Sequence, residues 1–355
     1  MPPSAVNAAA AASDFAIVVG IGSYPKLGRN ETSKDLKGPP GDALDVTRWL
    51  VSEVGVPCDN VVCLTSSGLG NCSVVDGAMT AWGQQTPHPN VSDICSLFED
   101  FVEKSIIKLN SGDPRIGRRL WVYMAGHGFA LKSATRDVCV LTADSLGHTL
   151  VKNVCATRWI DWIAQETPFD EVILFLDCCA EMATGLTPGV PFLQETANRQ
   201  HPAKRLVIAA APYGQQTFEA SIDSNGTVRG IFTQKLLKAL RGAAGSETDG
   251  SLASTHLRDY FENGPTADQV RVLECDPFTV VNLAGTAATP VYTIATGLPP
   301  GSVVVVTDGF NRQIGNLTVT ADGTVSQSFA AGLYKLGCNG WEKLIQVNSE
   351  GLANG

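Results

Sequence analysis

The chain has 355 residues, 44% hydrophobic and 17% charged, which is enough apolar content for a packed core and too much for a disordered chain. Lys and Arg number 26 against 35 Asp and Glu, giving a net charge of −9. The basic footprint of a nucleic-acid binder is therefore missing, and a basic peptide or protein is the electrostatically favoured partner.

No apolar run reaches the ~18 residues of a membrane span, so no membrane association is expected. The opening MPPSAVNAAAAAS lacks both a basic n-region and a strongly apolar core. Residues 1–14 read as a mobile tail, and a cytoplasmic location is expected. Ten cysteines with no CxxC spacing support neither a zinc ribbon nor a redox motif.

Phe15–Val19 is a short apolar run closed by Gly20-Ile21-Gly22, the pattern of a buried strand and a loop. That loop begins like a dinucleotide turn, yet Pro25 stands at the third glycine position. Asp42–Val54 places Ala43, Val46, Trp49, Leu50 and Val54 on one helical face. Val61–Leu64 reads as a second strand and Asp93–Leu109 as a helix. Leu120–Met124 is a third strand, running into Ala125-Gly126-His127-Gly128. Thr157–Gln165 reads as a helix, and Val172–Leu176 as a fourth strand ending in Asp177-Cys178-Cys179. Arg205–Ala211 is a fifth strand, and Phe232–Leu240 a helix stopped by Gly242.

Strands apolar on both faces, alternating with helices, predict an α/β fold: a mostly parallel sheet flanked by helices. Functional residues of such sheets gather beyond the carboxyl ends of the strands. Ser246–Glu274 reads as the end of this unit plus a connection. From residue 279 the segments become short, rich in Val, Ile and Thr, and punctuated by PPGS, DG and NG. They predict a small all-β sandwich. The expected organisation is thus a tail (1–14), an α/β domain (15–278) and a β-sandwich domain (279–355).

His127 and Cys179 follow the third and fourth strands, 52 residues apart. Adjacent parallel strands would present them side by side. A thiol beside an imidazole is a nucleophile with its base, because the imidazole takes the thiol proton.

Six segments in order, FAIVVGIGSYP, LKGPPGDALDVTRWL, VYMAGHG, VILFLDCCAE, LVIAAAPYGQQTFEA and GIFTQKLLKALRG, span about residues 15–242. Together they resemble the caspase-like cysteine peptidases, nearest the metacaspase and bacterial branch. The resemblance implies a caspase-like sheet, with Cys179 rather than Cys178 as nucleophile and His127 as general base. It implies an oxyanion hole from the Gly128 and Cys179 amides, and no cofactor in the chemical step. Ala180-Glu181-Met182 departs from the His-Ser-Gly expected of metacaspases. The resemblance also puts Asp42 and Asp177 in an S1 pocket for a basic P1 residue, Arg or Lys. A helix N-cap role for Asp42 and a purely structural role for Asp177 are the competing readings. Ala210, Ala211 and Tyr213 match the substrate-binding strand and contain no Arg that would hold a P1 aspartate.

Some metacaspases need calcium as an activator. Asp137, Asp144, Asp170 and Glu171 are the acids that would bind it here, or else a solvated surface. The long connection Met182–Lys204 matches the segment that relatives cut during activation, with Arg199, Lys204 and Arg205 as cleavage positions for the enzyme itself or an upstream protease. The C-terminal β-domain is the expected site for a regulatory partner, in a zymogen-type effector of bacterial defence. The competing reading is a catalytically silent caspase-fold module in a signalling or defence pathway.

Overall fold

The structure, a computed structural model, describes residues 13–28, 34–70, 80–82, 86–109, 113–132, 134–147, 152–166, 168–183, 186–191, 202–245, 251–263, 270–282, 291–308, 313–328, 332–348 and 351–354. Strands β1 (Asp14–Gly20), β2 (Val61–Thr65), β3 (Gly68–Gly70), β4 (Thr80–Ala81) and β5 (Arg119–Gly126) come first. Then follow β6 (Gly128–Leu131), β7 (Ala134–Leu141), β8 (Asn153–Cys155), β9 (Glu171–Cys178), β10 (Met182–Ala183) and β11 (Lys204–Ala209). After these come β12 (Glu219–Ser221), β13 (Val228–Gly230), β14 (Ser251–Ala253), β15 (Arg271–Cys275) and β16 (Thr279–Asn282). The helices are α1 (Gly38–Trp49), α2 (Val91–Leu109), α3 (Ala156–Glu166), α4 (Ile231–Lys238) and α5 (Ser254–Asn263).

The main sheet has the order β15-β11-β9-β5-β1-β2-β3-β4. Its five central strands, the five expected from the sequence, run parallel. Alternate side chains of these strands enter two separate cores, because successive residues of a strand face opposite ways. Leu120, Val122 and Met124 of β5 join Phe98 of α2 and Trp159 of α3 on one side. Trp121, Tyr123 and Ala125 join Trp49 of α1, Phe232 of α4 and Phe261 of α5 on the other. Both faces being covered explains why these strands read as continuous apolar runs.

The sequence reading differs from the structure in a few places. Strand β1 starts at Asp14 inside the expected tail, because Arg118 closes a two-pronged ion pair on that buried carboxylate (2.8 and 2.7 Å). The expected connection Ser246–Glu274 contains α5 and most of edge strand β15. Thr279–Asn282, assigned by sequence to the sandwich, pairs with β14 instead, and its Val280 is buried in the α/β core. The first unit therefore extends through Asn282.

The remaining strands are β17 (Val291–Ala295), β18 (Val303–Asp308), β19 (Gln313–Thr318), β20 (Thr324–Ser328), β21 (Gly332–Cys338), β22 (Trp341–Asn348) and β23 (Gly351–Asn354). They form a five-stranded antiparallel sheet, β19-β18-β21-β22-β23, and a β17-β20 ribbon. Ile294 and Val325 of the ribbon share a core with Val304, Val306, Leu336 and Ile345 of the sheet. Among the described residues no helix is long and apolar enough to cross a membrane.

Candidate active site

Strands β5 and β9 are neighbours, with Ala125 level with Asp177 and Gly126 level with Cys178. The next residue on each, His127 and Cys179, therefore leaves the sheet at the same height. Both line a cavity of about 610 Å³, together with Gly128, Asp42, Asp177, Glu181 and Glu219. This is the carboxyl edge of the parallel strands, where the sequence places the site.

The imidazole has a defined partner. His127 Nε2 lies 2.7 Å from the Lys34 carbonyl. A carbonyl only accepts, so the proton sits on Nε2 and Nδ1 keeps its lone pair. Burial pulls the imidazole below its ordinary value, and this outweighs the Lys34 carbonyl acting the other way. Burial also pushes the Cys179 thiol up, with Glu181 and Asp177 adding like charge. Both shifts favour the uncharged forms of thiol and imidazole. The thiol faces the Thr217 carbonyl at 3.8 Å.

Asp42 and Asp177 meet at one end of the cavity. Asp42 is fully buried within α1, five residues into the helix counting from Gly38, so it is not an N-cap; Lys37 holds that position. Its Oδ2 accepts the Gly230 amide at 2.8 Å. Its Oδ1 has no hydrogen-bond partner among the described residues. The Arg229 Nε stands 3.8 Å from it and is committed to Asp45 at 2.8 Å. Burial, and then the nearby Asp177 charge, push Asp42 up to about 8. Asp177 accepts the Thr233 hydroxyl at 2.6 Å, and Tyr123 bonds the same hydroxyl at 2.6 Å. Those bonds partly offset burial, which lifts Asp177 to about 6.

None of the three residues matched to a substrate-binding strand lines the cavity. Ala210 and Ala211 are buried, and the Tyr213 hydroxyl donates to the Leu131 carbonyl, away from the cavity. Gln216–Glu219 border the cavity instead. The chain turns after β11, where the Gly214 amide and the Gln215 carbonyl clasp Ala180 from both sides (2.8 and 2.9 Å). That clasp also orders the unusual Ala180-Glu181-Met182 stretch, which pairs with β6 through β10.

The cleavage positions divide. Lys204 and Arg205 belong to β11, paired with β9, and Arg205 holds Asp161 and Glu274. Both thus lie in the main sheet, with Lys204 exposed at the first position of the strand and Arg205 partly buried. Arg199 lies outside the described residues. The four acids named for calcium stand in separate ion pairs: Asp137 with Arg158, Asp144 with Lys152, Asp170 with Arg115 and Glu171 with Arg119. No three His, Cys, Asp or Glu side chains converge as metal ligands among the described residues. The amides of the GIGSYP turn are used internally, Gly22 and Ser23 both donating to Ser66 Oγ (2.8 and 2.9 Å). They do not cradle a phosphate.

The family model of the caspase domain matches residues 13–280. The chain belongs to the caspase-domain peptidase family. A probable protease of a Desulfuromonadales bacterium is 26% identical over 241 residues, 66% of this chain. The matched region spans about a quarter of that longer relative (26%). Among solved structures, a Geobacter sulfurreducens protein matches 75% of this caspase-domain chain and 93% of its own, at 12% identity and a TM-score of 0.41. Caspase-1 of Spodoptera frugiperda matches over 73% and 79%, at 12% identity and a TM-score of 0.40.

Several site residues escaped the sequence reading: Tyr24, Lys34, Thr217, Glu219 and Gly230. Lys34 and Thr217 contribute backbone carbonyls, which leave no side-chain signature. Glu219 is a carboxylate in a segment already assigned elsewhere, and it receives the Gly38 amide of α1 at 2.7 Å.

Proposed function

We propose that the protein is a cysteine endopeptidase that cuts after Arg, and less readily after Lys. The observation that carries this reading is the orphaned Asp42 Oδ1, buried beside Asp177 at the end of the cavity that also holds His127 and Cys179. An unpaired buried carboxylate oxygen is costly, and a guanidinium brings paired donors that satisfy two carboxylates at once. A P1 aspartate would meet like charge there.

In the reaction, His127 Nδ1 takes the Cys179 proton as Sγ attacks the scissile carbonyl. The oxyanion rests on the Cys179 and Gly128 amides, each worth about 3 kcal/mol in such sites. The imidazolium then returns the proton to the leaving amine, giving a thioester. Water, deprotonated by the same imidazole, hydrolyses it and restores the thiol. Every one of these groups belongs to the chain.

The Met182–Lys204 connection is the proposed activation segment, with Arg199, Lys204 and Arg205 as the basic cleavage positions named from sequence. The antiparallel sheets after residue 290 are the proposed docking unit for a regulatory partner.

The test is hydrolysis of matched fluorogenic peptides ending in Arg, Lys or Asp, by wild type and Cys179→Ala, with and without calcium. Turnover of Arg peptides that disappears in the variant is the expected result. Asp turnover would overturn the pocket assignment and leave the dyad standing.

A further inference from the structure

Tyr24 is buried, does not line the cavity and has no part in the chemistry above. Its phenol oxygen accepts the His127 amide N–H at 2.8 Å. The His127 carbonyl in turn accepts the Leu141 amide at 2.8 Å. The peptide groups on both sides of the His127 Cα are therefore held. The Tyr24 ring also lies against the imidazole, with centroids 4.8 Å apart and planes inclined by 54°.

The other end of Tyr24 reaches the segment that holds the far side of the imidazole. The Tyr24 amide donates to Asp35 Oδ1 at 2.6 Å, and Asp35 adjoins Lys34, whose carbonyl receives Nε2–H. The phenol fits because residue 126 is glycine. Gly126 has φ +153°, and a Cβ there would fall 2.3 Å from the Tyr24 oxygen.

We propose that Tyr24 is a positioning residue for His127: its hydroxyl fixes the backbone from which the imidazole projects, and its amide, through Asp35, steadies the carbonyl that keeps the proton on Nε2. The inference rests on the reading of His127 as general base. Its consequence is specific. A base held by its backbone and its distal nitrogen presents Nδ1 in one orientation, and looseness there slows proton transfer without weakening substrate binding.

The experiment uses the full chain, a peptidyl-arginine substrate, and ¹⁵N-histidine NMR to read the ring nitrogens of His127. Tyr24→Phe keeps the ring and removes only the hydroxyl, and Asp35→Ala removes the second anchor. Each is expected to lower kcat about tenfold, the scale of one lost positioning hydrogen bond, with KM changed by less than about twofold. The His127 nitrogen shifts should move from a single Nε2–H tautomer toward an averaged pattern. Wild-type kcat and unchanged ring shifts in Tyr24→Phe would overturn the proposal. So would a loss of activity that tracks a lowered Tm while the ring shifts stay put, since that is a purely structural effect. If the wild type hydrolyses no peptide even after limited trypsin cleavage, the peptidase reading fails on its own, and the ring shifts still decide whether Tyr24 positions the imidazole.

Discussion

Asp42 and Asp177 approach one another across Gly230, whose missing side chain leaves the space between them. A Cβ on Gly230 would fall 2.2 Å from Asp177 Oδ2 and 3.1 Å from Asp42 Oδ2. Gly230 has ordinary extended φ and ψ (−64° and 128°), so an added methyl would meet these carboxylates without backbone strain. Gly230→Ala should push Asp177 off the Thr233 hydroxyl and narrow the floor of the cavity. The expected outcome is a rise of tenfold or more in KM for arginyl peptides, on the order of one lost charge-assisted contact, at a stability cost of about 1–3 kcal/mol for overpacking. Peptide kinetics and urea denaturation check the two parts.

The same pair makes stability and binding depend on pH in opposite senses. Asp42 is raised from 3.8 to about 8 in the folded chain, and Asp177 to about 6. The folded state therefore holds protons that the unfolded state has released. Their contribution is fully present below pH ~4 and is lost as pH rises toward 8. Asp42→Asn, which cannot ionise, should raise Tm over wild type at pH 8.5 and change it much less at pH 4. In the proposed pocket an arginine needs the ionised acids, so kcat/KM for arginyl peptides should climb through pH 8, Asp42 being a free-enzyme group. The acid limb of kcat, set in the complex by His127, should lie below pH 6.5 because burial depresses that imidazole. Coincident limbs for kcat and kcat/KM would refute this division.

Two adjacent cysteines allow the nucleophile to be checked directly. Cys178 is buried, and its sulfur packs where a Gly128 Cβ would be (2.7 Å). Cys179 faces the cavity. Cys179→Ala should lower kcat by about 10⁴-fold or more while leaving Tm nearly unchanged, since the side chain is only half-buried. Cys178→Ala should keep most of the activity and lose about 1 kcal/mol of stability, as a small cavity does. Labelling by a peptidyl-arginine electrophile, followed by peptide mapping, reads which sulfur reacts.

The sheet, and the placing of His127 and Cys179 on one cavity, were legible because both rest on local pattern. Continuous apolar runs such as VILFL identified buried parallel strands, and the chemistry-bearing residues follow two of them directly. The wall of the cavity was not legible. Tyr213 matches a substrate-binding strand by resemblance, yet its hydroxyl is taken by the Leu131 carbonyl. The clasp of Gly214 and Gln215 on Ala180 is a backbone contact between segments far apart in sequence, and no periodicity announces it. The same applies to edge strand β15, whose five residues are all half-buried and show no alternation. Thr279–Asn282 was placed in the sandwich by composition alone, and Arg119 explains why it lies elsewhere.

Arg119 is nearly fully buried, 2% exposed, on β5, in the middle of the main sheet. Its guanidinium bonds Glu171 on β9 (Nε at 2.8 Å) and reaches the carbonyls of Thr279 and Val280. The rings of Trp121 and Phe278 cover it, with centroids 5.2 and 5.7 Å away. One side chain thus ties β5, β9 and β16 together. Arg119→Met keeps the aliphatic volume but leaves Glu171 without this partner and takes the guanidinium away from the Thr279 and Val280 carbonyls. Removing one member of a buried pair costs about 3–5 kcal/mol, so the variant should unfold at markedly lower urea concentration. The double variant Arg119→Met with Glu171→Gln should recover part of the loss, because no charge is then left unpaired. If the single and double variants unfold together, Glu171 carries no share of the coupling, and the carbonyl contacts to β16 account for the whole effect.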